Sequence, residues 1–192
     1  MSPNPRKVPE ILNELERGAL LARPNRKCPT GLRNHCMMRL MLNLGLRVSE
    51  VIHLKVNDID WTSGRLVVRA GKGNKDRTLW LNEADLELFG HWRGRKAVQA
   101  ELLFTTLKGA ELDTRYIREM VKRLAKKAGI PKDVHPHTLR HTFATDLYRE
   151  TKNIRLTQKA LGHSDLSTTM IYTHVIDDEL EDALKNFRNI SK

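Results

Sequence analysis

The stretch HPHTLRHTFATDLYRETKNIRLTQKALGHSDLSTTMIYTHV, residues His135–Val175, reads as a succession of short helices that carries arginine, histidine and tyrosine at helix faces and corners. His137 and Arg140 are three positions apart, so on a helix they share a face and can converge on one small anionic target. Pro136 suits the first helical turn, and Leu139, Phe143, Ala144 and Leu147 continue the helix with an apolar side. A second helix is expected over Ile154–Leu161, stopped by Gly162, which puts His163 on a fixed corner. Ser164 or Asp165 can cap a further short helix, with Tyr172 near its end.

A guanidinium matches two phosphate oxygens, an imidazole moves a proton near neutral pH, and a tyrosyl oxygen can attack phosphorus. That combination suits phosphoryl transfer without a metal. The elements HxLRH, LGHS and IYTHV, in this order and spacing, resemble the C-terminal signature of tyrosine site-specific recombinases, in particular the Xer-like and phage-integrase branch. The resemblance continues upstream: GLRVSE (Gly45–Glu50) is similar to the family's first arginine box, and GKGNKDR (Gly71–Arg77) to its lysine hairpin.

The resemblance implies a mainly α (α+β) catalytic domain with a small antiparallel sheet, cutting and rejoining DNA strands with no cofactor and no metal. It implies Tyr172 as the nucleophile, forming a 3′-phosphotyrosyl link and releasing a 5′-hydroxyl. Arg47 and Arg140 would stabilise charge on the non-bridging oxygens, His137 would assist proton movement from the tyrosine, His163 would hydrogen-bond the phosphoryl group and Lys72 would protonate the leaving oxygen. Which histidine acts as a base stays open, and Lys75 is the fallback for Lys72. In relatives the C-terminal helix docks on a neighbouring protomer, so the implied assembly is a homo-tetramer on paired double-stranded DNA sites from a chain monomeric in solution.

Taken singly, these groups have plainer readings: His163 as a helix cap, Tyr172 as core, Arg47 and Lys72 as solvated charges, Tyr116 and Tyr148 as packing residues. A metal reading starts from His137 and His141, four apart, with His135 nearby, but lacks the glutamate of an HExxH helix and a third ligand. Type IB topoisomerase-like cleavage and a non-catalytic DNA-binding module are the alternative functions.

Composition agrees with a polyanionic partner: 192 residues, 40% hydrophobic, 30% charged, net charge +11. Cys28 and Cys36 read as structural thiols of a reduced, cytoplasmic, DNA-associated protein, and no apolar run is long enough to span a membrane. Residues 1–8 read as a flexible basic tail, 9–176 as the catalytic domain and 177–192 as a C-terminal helix with an apolar stripe of Leu180, Leu184 and Phe187. Family members usually carry a further N-terminal helical domain, whereas only residues 1–29 precede the long helix here; a short recombinase and a catalytic fragment both fit.

Between these ends, helices are expected over Pro9–Leu21, Thr30–Leu44, a short segment containing Glu50 and Leu54, Asn82–Val98 and Asp113–Ala128. Glu50 is placed to hold Arg47. Asp58–Trp61, Arg65–Ala70 and Arg77–Leu81 alternate as a three-stranded antiparallel sheet, its second turn glycine-rich. The Asp113 helix sets Ile117, Met120, Val121 and Leu124 at helical spacing against a basic stripe containing Arg115, Arg118, Lys122, Arg123 and Lys126. With Lys75 and Arg77, that stripe is the expected DNA contact.

Overall fold

A computed structural model describes residues 9–69, 76–96, 100–163 and 169–172. The centre is helix α2 (Pro29–Asn43), begun by proline at its first position and buried on nearly every side through Leu32, Cys36, Met37, Met38, Leu40 and Met41. Arg33, Asn34 and His35 are buried on it as well, so its neighbours must both cover apolar side chains and supply polar partners. Around it pack α1 (Glu14–Leu21), α3 (Val48–Ile52), α4 (Glu83–Arg95) and α6 (Pro136–Thr151), with α5 (Thr114–Lys127) against α3 and α6 and α7 (Ile154–Leu161) against α6. The mainly helical class is as expected.

Polar ties fix the helices around α2. Asp85 in α4, 1% exposed, accepts from Arg39 Nε and Asn43 Nδ2, both at 2.6 Å. Arg33 donates to the Thr105 carbonyl at 2.6 Å and to the Tyr116 hydroxyl at 2.7 Å, and that hydroxyl donates to Asn34 at 3.0 Å, which makes Tyr116 a bridge to α5. Cys36 is buried and Cys28 exposed, both free thiols.

Three sequence expectations change in detail. The first helix begins at Glu14, not Pro9, because Asn13 and Glu16 form a reciprocal cap, each side chain bonding the other's amide at 2.8 Å. Leu12 lies before the helix, its amide bound to Thr142 Oγ1 at 2.9 Å. Among the described residues the sheet has two strands, not three: β1 (Arg65–Val68) pairs antiparallel with β2 (Arg77–Trp80), Val68 opposite Arg77. The expected third strand is a 3₁₀ turn at Val56–Asp58 followed by a single Ile59–Leu66 bridge, because the buried Asp58 carboxylate accepts the Lys55 amide at 3.0 Å and closes the chain into a turn. Helix α4 ends at Arg95, with Lys96 already extended, and the expected continuation over residues 97–98 lies outside the described residues. So do residues 1–8, the Gly71–Asn74 turn, the Ser164 or Asp165 cap and the C-terminal helix.

An ionic knot joins β2, α3 and α7. Arg77 forks onto Glu50, Nη1 to Oε1 at 2.7 Å and Nη2 to Oε2 at 2.8 Å, while its Nε donates to the Ala160 carbonyl at 2.8 Å. The expectation that Arg77 touches DNA is corrected here: the side chain is buried, with three of its five N–H groups bonded to Glu50 and Ala160, because β2 turns it to the same side as Leu79. Burial alone would raise the Glu50 carboxyl, but the Arg77 hydrogen bonds and charge, the Arg47 amide and Arg140 outweigh it and hold Glu50 below the ordinary carboxylate value.

Two stability outcomes follow. Glu50→Gln leaves clustered guanidiniums uncompensated and should cost about 3–5 kcal/mol in urea unfolding at pH 7. Since the folded carboxyl titrates below the unfolded one, its stabilisation is complete above the ordinary carboxylate range and is lost as pH falls through the lowered folded value, so the gap between wild type and variant should close under acid. Gly45 has φ +63°, and a Cβ there would lie 2.3 Å from the Phe143 ring, so Gly45→Ala should destabilise the fold by about 1–3 kcal/mol in the same assay.

Candidate active site

Arg140 sits on α6, 5% exposed, at the point where two glycine-terminated turns meet. Its Nη1 donates to the carbonyl of Gly45 and its Nη2 to the carbonyl of Leu161 at 2.7 Å. Both acceptors exist because the chain turns left-handed at Gly45 and Gly162, φ +63° and +65°, and so aims these carbonyls inward. Burial, then the neighbouring Arg47 charge, pushes the guanidinium down to about 9, still protonated at neutral pH.

His163 follows Gly162 as the sequence requires and faces Arg140, Nε2 to Nη2 at 3.0 Å. A guanidinium only donates, so His163 Nε2 carries a lone pair and Nδ1–H donates to Thr169 Oγ1 at 3.0 Å. Burial and the charges of Arg140, Arg47 and Arg77 push this ring down to about 4, so it is neutral at physiological pH.

Arg47 starts α3, half-buried, its Nη1 3.0 Å from Glu50 Oε1 and its amide 2.7 Å from Oε2. Glu50 Oε2 also lies 3.9 Å from Arg140 Nη1, so one carboxylate gathers Arg47, Arg77 and Arg140. His137 is exposed one turn before Arg140, its ring edge-on to His135 at 6.1 Å between centroids. Partial desolvation and the charges of His135, Arg140, Arg118 and Arg47 lower its value, favouring a neutral ring.

Tyr172 closes a 3₁₀ turn, Met170–Tyr172, and is 2% exposed in a small core with Ala144, Tyr148 and Leu161. Its hydroxyl lies 2.7 Å from Nδ1 of His141. Burial pushes the phenol up to about 12 and, with the charges of His137, Arg140 and His135, pushes His141 down to about 4. His141 is absent from the expected site. Adjacent residues of a helix point about 100° apart, and nothing in HxLRH says that the tyrosine returns to the side of its last residue.

Of the expected site residues, Arg47, Glu50, Arg140 and His163 form one charged cluster, with His137 on its outer side. Tyr172 is buried beside the same helix. Lys72 and Lys75 lie outside the described residues. Arg115, Arg118, Lys122, Arg123 and Lys126 are all exposed on α5, whose Ile117, Met120, Val121 and Leu124 are buried. Among the described residues no group of three His, Cys, Asp or Glu side chains is placed to hold a metal ion, and no helix is long and apolar enough to cross a membrane.

The chain that carries this cluster has relatives among known proteins. Tyrosine recombinase XerD of Ralstonia nicotianae is 41% identical over 182 residues, covering 92% of this chain and 59% of the relative. The XerD of Staphylococcus aureus is 37% identical over 188 residues, covering 95% of this chain and 63% of the relative. The chain thus spans about three-fifths of the length of these relatives. Among solved structures, the XerA recombinase superposes with a TM-score of 0.82 at 34% identity over 96% of this chain and 67% of that one. The catalytic domain of bacteriophage HP1 integrase superposes at 0.66 with 26% identity, covering 96% of this chain and 98% of that one. The family profile that matches, over residues 7–179, is that of the phage integrases, and the chain belongs to the phage integrase family.

Proposed function

We propose that this chain carries the catalytic domain of a site-specific DNA recombinase that cuts and rejoins strands through a 3′-phosphotyrosyl intermediate at Tyr172. The observation that carries the reading is the clustering of Arg47 and Arg140 around Glu50, with His163 against Arg140 and the Tyr172 hydroxyl bonded to the residue next to Arg140. A relative of the same fold, the XerH recombinase, 32% identical over 93% of this chain with a TM-score of 0.80, has been solved on its palindromic difH substrate after cleavage.

The phosphodiester would sit over the two guanidiniums, whose fixed positive charge stabilises the extra negative charge of the five-coordinate transition state without rearranging. Glu50 keeps both in place. Tyr172 attacks phosphorus and the 5′-oxygen departs, protonated by Lys72. His163, neutral at rest, gains basicity as the anionic phosphate enters and can then donate to it; His137, on the open side, meets the DNA first. Because the phosphodiester's energy is retained in the tyrosyl link, a 5′-hydroxyl from another strand can reverse the attack without ATP. The exposed cations of α5, with Lys75, hold the duplex through its phosphates. Double-stranded DNA is the partner, met as a homo-tetramer on paired sites by a chain monomeric in solution.

The test uses a pool of nicked duplexes with a randomised core, from which wild-type protein should capture covalent adducts. Tyr172→Phe should abolish the adduct and keep non-covalent binding, while Tyr148→Phe should retain both. Arg140→Ala and Arg47→Ala should each slow adduct formation by on the order of 10² to 10³. Adduct formation by Tyr172→Phe, or wild-type rates in both arginine variants, contradicts the assignment. Relaxation of plasmids lacking any selected site would point to topoisomerase-like action instead.

A further inference from the structure

The hydroxyl of Tyr172 has one hydrogen-bond partner among the described residues, His141 Nδ1 at 2.7 Å, with the two rings tilted by 52° and 5.8 Å between centroids. With no other acceptor in reach among them, the phenol donates its proton to this ring, which requires a bare Nδ1 and a hydrogen on Nε2. The family resemblance would send the phenolic proton towards His137, but the hydroxyl bonds His141 instead. His137 lies one turn earlier on α6, exposed, its ring against His135.

We propose that His141 holds the Tyr172 hydroxyl and accepts its proton as that oxygen attacks the phosphodiester, a step that rests on reading Tyr172 as the nucleophile. The tyrosyl O–P bond forms while the O–H pair stays on oxygen and the proton moves to His141 Nδ1. The P–O5′ bond breaks with its pair on the 5′-oxygen, which is protonated by a separate acid, an ammonium or water. On rejoining, a 5′-hydroxyl attacks and gives its proton to the conjugate base of that acid, the tyrosyl P–O bond breaks, and the leaving phenolate takes its proton back from His141. Each cycle returns both rings to their starting state.

The resting balance is consistent with this timing. A phenol at about 12 beside an imidazole at about 4 keeps its proton, so the tyrosine is not spent as a free phenolate before DNA arrives. Bond formation to phosphorus makes the phenolic proton strongly acidic, and the phosphate's negative charge strengthens the imidazole as a base, so both changes drive the transfer at the moment of attack. The groups facing this ring are His135, which caps α6, His137 and Arg140 on that helix, and Tyr172 and His163 from the chain beyond α7.

His141→Asn tests the role, because its amide oxygen can accept the hydroxyl near the place of Nδ1 but cannot take a proton. On duplexes captured by wild-type protein, this variant should form adduct at least roughly 10²-fold more slowly at pH 7, the lower end of what a general base contributes. Its rate should climb more steeply towards alkaline pH than that of wild type. The deficit should persist on a 5′-bridging phosphorothiolate, whose leaving group needs no proton. A variant that cleaves at the wild-type rate, or whose slower rate keeps the wild-type pH profile, overturns the proposal. Nitrogen-15 spectra of the DNA-free protein give an independent reading: Nδ1 of His141 should be bare at pH 7 and shift in Tyr172→Phe, and a proton on Nδ1 overturns the base role. A wild-type chain that makes no adduct on any duplex overturns the recombinase reading and this proposal with it, whereas equal rates for wild type and His141→Asn overturn this one alone.

Discussion

The buried guanidinium of Arg140 is what the rest of the site depends on. A cation at 5% exposure survives only if its donors are matched, and here the matches are the Gly45 and Leu161 carbonyls and the lone pair of His163. Each partner lies at the end of a helix rather than within one. Turns from distant parts of the chain are therefore gathered around one side chain, and the two left-handed glycines are what make those carbonyls available.

Electrostatics then set the character of the place. Arg47, Arg77 and Arg140 share Glu50, a single carboxylate, so positive charge is in excess; burial first, and then neighbouring positive charge, lower the values of His137, His141 and His163 and favour their neutral rings. An anion entering such a site relieves repulsion that the fold maintains in its absence. Arg77 takes part without facing the open side: it is the strut that keeps Glu50 between β2 and α7, and a Cβ on Gly162 would come within 3.0 Å of it.

Much of this is legible in the sequence. The Asp113 cap and the buried face of α5, the stop at Gly162, and the pairing of Glu50 with Arg47 all follow from local chemistry that tertiary contacts reinforce. The late start of α1 is also written there, in Asn13 and Glu16, but the apolar spacing of Ile11, Leu12 and Leu15 draws the expected helix back to Pro9. Alternation alone does not distinguish the Asp58 turn from a strand, since the buried carboxylate that closes it, also held by Arg69 Nε at 2.7 Å, is a tertiary feature. Arg77 is misread because a cation beside a glycine-rich turn looks solvated, although its shared side with Leu79 points inward. The contact of His141 with Tyr172 spans segments whose relative placement no spacing rule predicts.

The central claim is that Tyr172 supplies the oxygen of the covalent bond to DNA. It is tested most directly by trapping the wild-type chain on captured nicked duplex, digesting protein and DNA, and locating the nucleotide by peptide mass spectrometry. The account predicts a phosphonucleotide on Tyr172 and on no other residue; a nucleotide carried by Tyr148, Tyr116 or any other side chain would contradict it.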